Sequence, residues 1–131
     1  MPSSSKLLKF RQLPGSFAIC RLAPGASLPQ LNWAAPFVSV TRTTGELSIV
    51  CPADQAPAGA KSESPWTCFK LEGPFPFSLT GILASFLDPL AANSIPVFAV
   101  ATFDTDYVLV KEEVAATALK TLQAAGHQLI S

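Results

Sequence analysis

The sequence predicts an α+β protein in which antiparallel sheets pack on helices. Two observations carry this prediction. Short apolar, β-branched runs recur between Pro- and Gly-containing turns along the whole chain. In the second half, two longer segments place apolar residues at three- and four-residue spacing, which is typical of amphipathic helices. With 131 residues, 49% hydrophobic and 14% charged, the chain is apolar enough to form a packed core.

The first half begins with a strand between two turns. Turn signals at 13–15 and 23–26 bracket an apolar run, which predicts a strand over 16–22. Residues 27–35 predict a short helix that carries Leu28, Leu31 and Trp33, is weakened by Pro29 and is closed by Pro36.

A hairpin and a connection complete the first half. The β-rich runs 37–41 and 46–50 flank a four-residue loop that ends in glycine, which is typical of a hairpin. Residues 52–65 are rich in Pro, Ala, Gly and Ser and have no periodicity, so we expect them to connect the two halves.

The second half starts with a strand and an amphipathic helix. Residues 66–71 predict the strand, and the helix begins near Ser78 or Thr80 and continues to Leu90. Pro89 lies inside this pattern, so we expect it to kink or end the helix.

The remaining elements complete the order βαββαβ, which is the ferredoxin-like pattern. Residues 97–102 and 107–111 form a second hairpin. A helix follows from Glu112 or Glu113 to about residue 125 and stops at Gly126, and 128–130 return as a short last strand.

The two halves resemble each other. The segment 37–41 matches 98–102, and 17–22 matches 66–71, with a strand, a helix and a hairpin in the same order. This repeat predicts two related lobes, residues 1–60 and 61–131, of which the first is shortened and lacks a long second helix. A chance likeness of short β segments is the alternative.

Composition excludes several functions. Nine basic residues balance nine acidic ones without clustering, which argues against nucleic acid as a partner. No apolar run is long enough for a membrane helix. One histidine and three scattered cysteines predict neither a metal site nor a cofactor. The start of the chain has no secretory signal pattern, so we expect a cytoplasmic protein.

The cysteines do not predict an enzyme. Cys20, Cys51 and Cys68 each lie in or beside a strand-like run, so we expect buried free thiols. A catalytic thiolate needs a cationic partner, and the single histidine, His127, is placed by the sequence at the end of a helix.

Two segments are candidates for a ligand site. The loop and helix start at 73–83 present free N–H groups that favour a carboxylate, although an ordinary capped helix explains the same pattern. Asp104 and Asp106 lie in the second hairpin loop and suit an ammonium group, although aspartate is also common in turns. Together the two segments suit a zwitterion, which suggests a free amino acid.

These residues resemble the ACT-domain proteins, and within them the small stand-alone tandem group related to the CASTOR-type arginine sensors. The resemblance rests on Ser-Leu-Thr-Gly-Ile-Leu at 78–83 and on the run from Phe98 to Val110. In the first half, 13–15, 37–43 and 46–52 are also similar.

The resemblance implies a non-catalytic regulatory sensor that binds an amino acid or similar small molecule between ACT units. The helix start would hold the ligand backbone through Leu79, Thr80, Gly81 and Ile82. The neighbouring strand exit would face it through Thr102, Phe103, Asp104 and Thr105.

The first lobe has no acidic residue at the position that matches Asp104, and its helix entry lacks the Thr-Gly pair. We therefore do not expect an equivalent site there. The short chain predicts a homodimer that regulates an unidentified protein partner. The alternative is an interaction or scaffold module that kept the fold without a ligand.

Overall fold

The computed structural model describes residues 6–76 and 80–131. Leu13–Thr67 form one compact unit, called the N-terminal unit below. The described residues up to Gln12 and those of Cys68–Ser131 form the other, the C-terminal unit. The architecture is mixed α+β, as predicted. In chain order the elements are β1 (Lys9–Gln12), β2 (Phe17–Leu22), β3 (Ser39–Arg42), β4 (Leu47–Pro52), β5 (Lys61–Leu71), α1 (Ile82–Ala92), β6 (Phe98–Ala101), β7 (Asp106–Lys111), α2 (Ala115–Ala124) and β8 (Gln128–Leu129).

The N-terminal unit is a small sheet with strand order β3-β4-β2-β5, and its pairs are antiparallel. The strand 16–22 and the first hairpin are confirmed. Alternate residues of β2 and β4 face one core, whose buried members are Ala18, Cys20, Leu31, Leu47, Ile49 and Cys51. The side-chain period of two in a strand explains why these residues share a face.

The predicted helix over 27–35 is wrong, because this segment is an irregular loop. Of its three large apolar residues, Leu31 is buried, whereas Leu28 is 50% exposed and Trp33 is 61% exposed. Side chains hold the loop instead of helical hydrogen bonds. Arg42 donates to the carbonyls of Pro24 and Ala26, and the Asn32 side chain accepts from the Ala34 N–H at 3.1 Å.

Strand β5 begins five residues earlier than predicted, at Lys61 rather than at 66. Pro65 lies within it, and the pairing with β2 shifts between Phe17–Trp66 and Ile19–Glu63. Proline has no N–H to donate to a ladder, so a β-bulge is one of the few places a strand tolerates it. The bulge at this shift therefore allows the strand to continue through a proline that predicted a break.

The C-terminal unit has strand order β8-β1-β5-β7-β6. When β1 is left out, the order is β8-β5-β7-β6. This is the ferredoxin-like order, in which the last strand lies on one side of the first strand and the third strand lies on the other side. The sequence did not predict β1, which pairs antiparallel with β5 and parallel with β8. Its Phe10 is completely buried and makes edge-to-face contacts with Phe69 at 5.5 Å and Phe86 at 5.2 Å.

Helix α1 contains Pro89 and continues past it to Ala92, so the proline does not end the helix. Proline cannot donate to the carbonyl four residues earlier, which is that of Ser85. The Nε2 of His127 lies 2.9 Å from this carbonyl oxygen. The Nδ1 of the same ring accepts from the Leu8 N–H at 3.1 Å. Because Nδ1 accepts a hydrogen bond, Nε2 carries a proton and donates it to the Ser85 carbonyl, which has no helical donor at Pro89.

The second predicted helix is present but shorter. Residues Glu112–Val114 form a 3-10 turn, and α2 follows as Ala115–Ala124. Ala118 and Leu122 are buried as the periodicity predicted. The chain leaves the helix at Gly126, whose φ of +100° suits glycine. None of the helices in the described part of the chain is long and apolar enough to span a membrane.

The two hairpins repeat with a constant spacing. Strand β6 begins 59 residues after β3 (98 against 39), and β7 begins 59 residues after β4 (106 against 47). The registers correspond, since Ser39 pairs with Val50 and Phe98 with Leu109. The match predicted from the sequence, 37–41 with 98–102, is two residues off this spacing. The correct spacing aligns Thr43 with Thr102 and Gly45 with Asp104.

We expect His127→Phe to lower the free energy of unfolding by about 2–4 kcal/mol, because two buried hydrogen bonds to the backbone are lost while ring packing is kept. In a Pro89→Ala background, the new N–H can serve the Ser85 carbonyl, so the loss should shrink by about 1 kcal/mol. Urea unfolding of the wild type, the two single variants and the double variant measures this coupling. Equal losses in both backgrounds would show that Pro89 and His127 are not linked.

We expect Leu31→Ala to lower the free energy of unfolding by about 2–4 kcal/mol, because it removes a buried side chain from the N-terminal core. The matched change Trp33→Ala, on the same loop but mostly exposed, should change it by less than about 0.5 kcal/mol. Urea unfolding compares the two, and a larger effect at Trp33 would contradict the anchoring role of Leu31.

Candidate functional site

A concavity of about 180 Å³ lies against the turn between β6 and β7. It is lined by Phe75, Pro76 and the six consecutive residues 101–106. Four of the eight residues predicted to bind a ligand, those at 102–105, therefore lie together here. Phe103 is 79% exposed, and Thr102 and Asp104 are also exposed, whereas Thr105 is buried.

The turn is closed by Thr102 and Thr105. The Thr102 N–H donates to the Thr105 carbonyl at 2.8 Å. The Thr102 hydroxyl donates to the same carbonyl at 2.9 Å and accepts from the Thr105 N–H at 3.3 Å. Phe103 and Asp104 are left as the two-residue tip. The sequence produces this locally, because threonine can bond to backbone groups three residues away.

The segment that follows β5 is packed against this turn. The Thr105 hydroxyl donates to the Leu71 carbonyl at 2.8 Å, and the Phe75 N–H donates to the Asp104 carbonyl at 2.9 Å. At Gly73, an added Cβ would lie 2.9 Å from the Asp104 carbonyl oxygen. Glycine is therefore required here for close approach of the two backbones.

The start of α1 holds the other predicted residues. Gly81 precedes the helix with a φ of +77°, and no side chain caps the first turn among the described residues. Thr80 is exposed, but Ile82 is buried in the core. Lys6 lies near Gly81, with its Cε 3.9 Å from the position a Cβ would take there. Leu79 lies outside the described residues.

These helix-start residues do not line the concavity in the described part of the chain, so the structure does not bring the two predicted halves of the site into one pocket. Ile82 presents its side chain to the core, which leaves only its backbone for a ligand. Four lining residues were not among the predicted site residues: Phe75, Pro76, Ala101 and Asp106. Two sequence features pointed to this region: the proline-rich run at 73–77 and the position of Asp106 two residues after Asp104.

Burial raises the pKa of two groups beside this turn, on Asp106 and Tyr107. Burial raises the pKa of the Asp106 carboxyl above its ordinary value. The pKa of the neighbouring Tyr107 hydroxyl is also raised, by burial and then by the nearby Cys68 and Asp104. A further negative charge beside Asp106 or Tyr107 is therefore unfavourable.

The N-terminal unit has the same turn without the same chemistry. Thr43 N–H donates to the Glu46 carbonyl at 2.9 Å, and the Thr43 hydroxyl accepts from the Glu46 N–H at 3.1 Å. Gly45 occupies the position that corresponds to Asp104. The concavity of about 350 Å³ in this unit lies elsewhere, where β2 begins and β4 ends, and Asp54 is its one charged lining residue in the described chain.

The three cysteines are buried and free, as predicted. Burial raises the pKa of the Cys68 thiol to about 12. Burial and the neighbouring Cys20 raise the pKa of the Cys51 thiol to about 12 as well. These two thiols are therefore protonated at neutral pH and are weak nucleophiles.

Residues 61–124 match the family model of the ACT domain, and residues 15–59 match the model of an N-terminal domain family. The protein Atu0741 from Agobacterium tumefaciens is 41% identical to this chain. Its crystal structure aligns with a TM-score of 0.87 over 95% of this chain and 93% of that one. A search of curated proteins finds no match.

Two more distant structures share the fold. VC0802 from Vibrio cholerae, a protein of unknown function described as a possible transport protein, is 21% identical, with a TM-score of 0.70 over 92% of this chain and 91% of that one. The regulatory subunit of aspartate kinase from Thermus flavus is 11% identical, with a TM-score of 0.64 over 92% and 99%.

The fold of the C-terminal unit is of the ACT type. The chain belongs to the same family as Atu0741, and its residues 61–124 form an ACT domain. The ferredoxin-like prediction is thereby confirmed.

We expect ionisation of the Asp106 carboxyl to lower the free energy of unfolding as pH rises. Its pKa is raised in the folded state, so the folded protein keeps this proton to a higher pH than the unfolded chain does. The resulting stability is present below the unfolded pKa and is lost as pH rises through the folded pKa. Compared with Asp106→Asn, the wild type should lose stability from acidic to neutral pH, measured by urea unfolding. A wild type that gains stability relative to the variant over this range would contradict the sign.

Proposed function

We propose that this protein is a non-catalytic regulatory module that binds a free amino acid at the concavity beside the turn 102–105. The observation that carries the proposal is an exposed aspartate, Asp104, held on a fixed turn beside an apolar wall in an ACT domain. The likeness to an aspartate kinase regulatory subunit supports a regulatory role by fold.

The ligand's ammonium group binds near Asp104, because the carboxylate offers a charged acceptor that remains exposed. The rings of Phe75 and Phe103 form the apolar wall for the ligand's side chain. The start of α1 does not line the concavity. In this proposal its first-turn N–H groups, which no described side chain caps, and Lys6 close to Gly81 favour the ligand's carboxylate through their positive potential. That Leu79, Thr80, Gly81 and Ile82 hold the ligand backbone stays a prediction of the sequence.

The charge of the lining selects among amino acids. The described lining contains two carboxylates, on Asp104 and Asp106, and no Lys, Arg or His. A second carboxylate on the ligand would meet like charge without a compensating cation. Neutral and basic amino acids therefore bind better than aspartate or glutamate.

A second copy of the chain completes the site in this proposal. The concavity is small and its acidic tip is exposed, so another ACT domain is needed to cover the ligand. Binding then favours the dimer, or one form of it, through a difference in affinity between the two states. The free thiols support a cytoplasmic location, where an unidentified protein partner is regulated. The two units with repeated hairpins support a relationship to the tandem group of CASTOR-type sensors.

An interaction module without a ligand is the second candidate function. It is favoured by the loop of the N-terminal unit, which exposes Leu28 and Trp33. Large exposed apolar side chains on one loop are typical of a protein-binding surface.

We expect at least one neutral or basic amino acid at millimolar concentration to raise the melting temperature of the wild type, because ligand binding stabilises the folded state. Asp104→Asn should lose most of this shift. Asp88→Asn, which removes the same charge from an exposed position on α1, should keep it. The measurement is a thermal-shift screen of the twenty common L-amino acids.

Two outcomes would contradict the proposed site. An equal shift in wild type and Asp104→Asn would place the ligand elsewhere. A response to none of the twenty amino acids, together with stoichiometric co-purification of a protein that is lost in Trp33→Ala, would favour the interaction module.

A further inference from the structure

We propose that Thr105 is a positioning residue for the site rather than a ligand contact, and that it acts through the Leu71 carbonyl to hold Asp104 in its binding position. This inference rests on the proposed function, because it assigns the means by which the same site is organised. It differs from the expectation that Thr105 faces the ligand.

The burial of Thr105 separates it from its neighbours in the turn. Thr105 is 6% exposed, whereas Thr102, Phe103 and Asp104 are exposed. Its hydroxyl donates to the Leu71 carbonyl at 2.8 Å, in a buried hydrogen bond between residues 34 positions apart. The hydroxyl proton of Thr105 is therefore already used in a hydrogen bond to the backbone at the end of β5.

Two further contacts join the same segments. The Phe75 N–H donates to the Asp104 carbonyl at 2.9 Å. Gly73 lies so close that a Cβ on it would be 2.9 Å from that carbonyl oxygen and 3.1 Å from the Thr105 Cβ. The main chain of Asp104 is thus held from one side by Phe75 and confined by Gly73.

This arrangement fixes the backbone of Asp104 and leaves its carboxylate exposed. A binding group whose backbone is already ordered pays less conformational entropy when a ligand arrives. The Thr105–Leu71 hydrogen bond is the buried link in this arrangement, so its loss should loosen the turn and weaken binding without removing any ligand contact.

The test compares Thr105→Val, which keeps the side-chain shape but removes the hydroxyl, with Thr105→Ser, which keeps the hydroxyl. The affinity for each of the twenty common L-amino acids is measured by calorimetry, and amide hydrogen exchange of Phe75 is measured in the free protein. We expect Thr105→Val to weaken binding about tenfold and to speed exchange at Phe75. Thr105→Ser should stay close to the wild type in both measurements.

Gly73→Ala provides a second, independent variant, because its methyl group must displace the Asp104 carbonyl. It should weaken binding as Thr105→Val does. Gly25→Ala is the matched control, since a Cβ at Gly25 meets nothing within 4 Å.

Each failure has a distinct signature. Wild-type affinity in Thr105→Val, or unchanged exchange at Phe75, would overturn the positioning role while leaving the proposed function intact. Loss of binding in Thr105→Val that Thr105→Ser does not restore would also overturn it. A wild type that binds none of the twenty amino acids would overturn the proposed function itself, and with it any role in binding.

Discussion

The C-terminal unit depends on the two buried hydrogen bonds of His127. One ring nitrogen accepts from Leu8 and the other donates to the Ser85 carbonyl, so the chain after α2 is tied both to the segment before β1 and to α1. The ring also lies 5.3 Å from Phe86, which joins it to the aromatic contacts of β1 and β5. Pro89 cannot supply the helical hydrogen bond to the Ser85 carbonyl, and His127 donates one in its place. The histidine therefore compensates for a proline inside α1.

The repeated hairpin explains why both units share a fold element and only one carries a candidate site. In both units a threonine closes a two-residue turn through the same backbone bonds. The tip differs, since Thr44 and Gly45 occupy the positions of Phe103 and Asp104. The surroundings differ too. The N-terminal unit has an irregular loop where the C-terminal unit has α1. A turn becomes a candidate site only where an acidic tip and a supporting segment occur together.

The sequence predicted elements whose causes are local. Both hairpins and the end of α2 follow from turn residues and alternation, so their places were predicted closely. Strand β1 was missed because it has one fully buried residue, Phe10, and its partners are distant in sequence. The bulge that accommodates Pro65 depends on pairing with β2, which local propensity does not reveal. Of the candidate site, the sequence predicted Asp104 and its neighbours in the turn. The hydrogen bond from Thr105 to Leu71 spans 34 positions, and no periodicity indicates it.

The exposure of Asp104 determines where binding energy must come from. At about 4 Å, two opposite unit charges attract by about 1 kcal/mol in water and by about 4 kcal/mol at the effective dielectric near a protein surface. An exposed carboxylate alone therefore holds an ammonium group weakly. The attraction grows only when water is excluded from the turn, which the open concavity does not achieve by itself. Asp106 is less exposed than Asp104, so water screens its attraction to a nearby cation less. In the proposed function, ligand binding and the covering of the site by a second copy are therefore energetically coupled, and such coupling allows a small metabolite to control an association equilibrium.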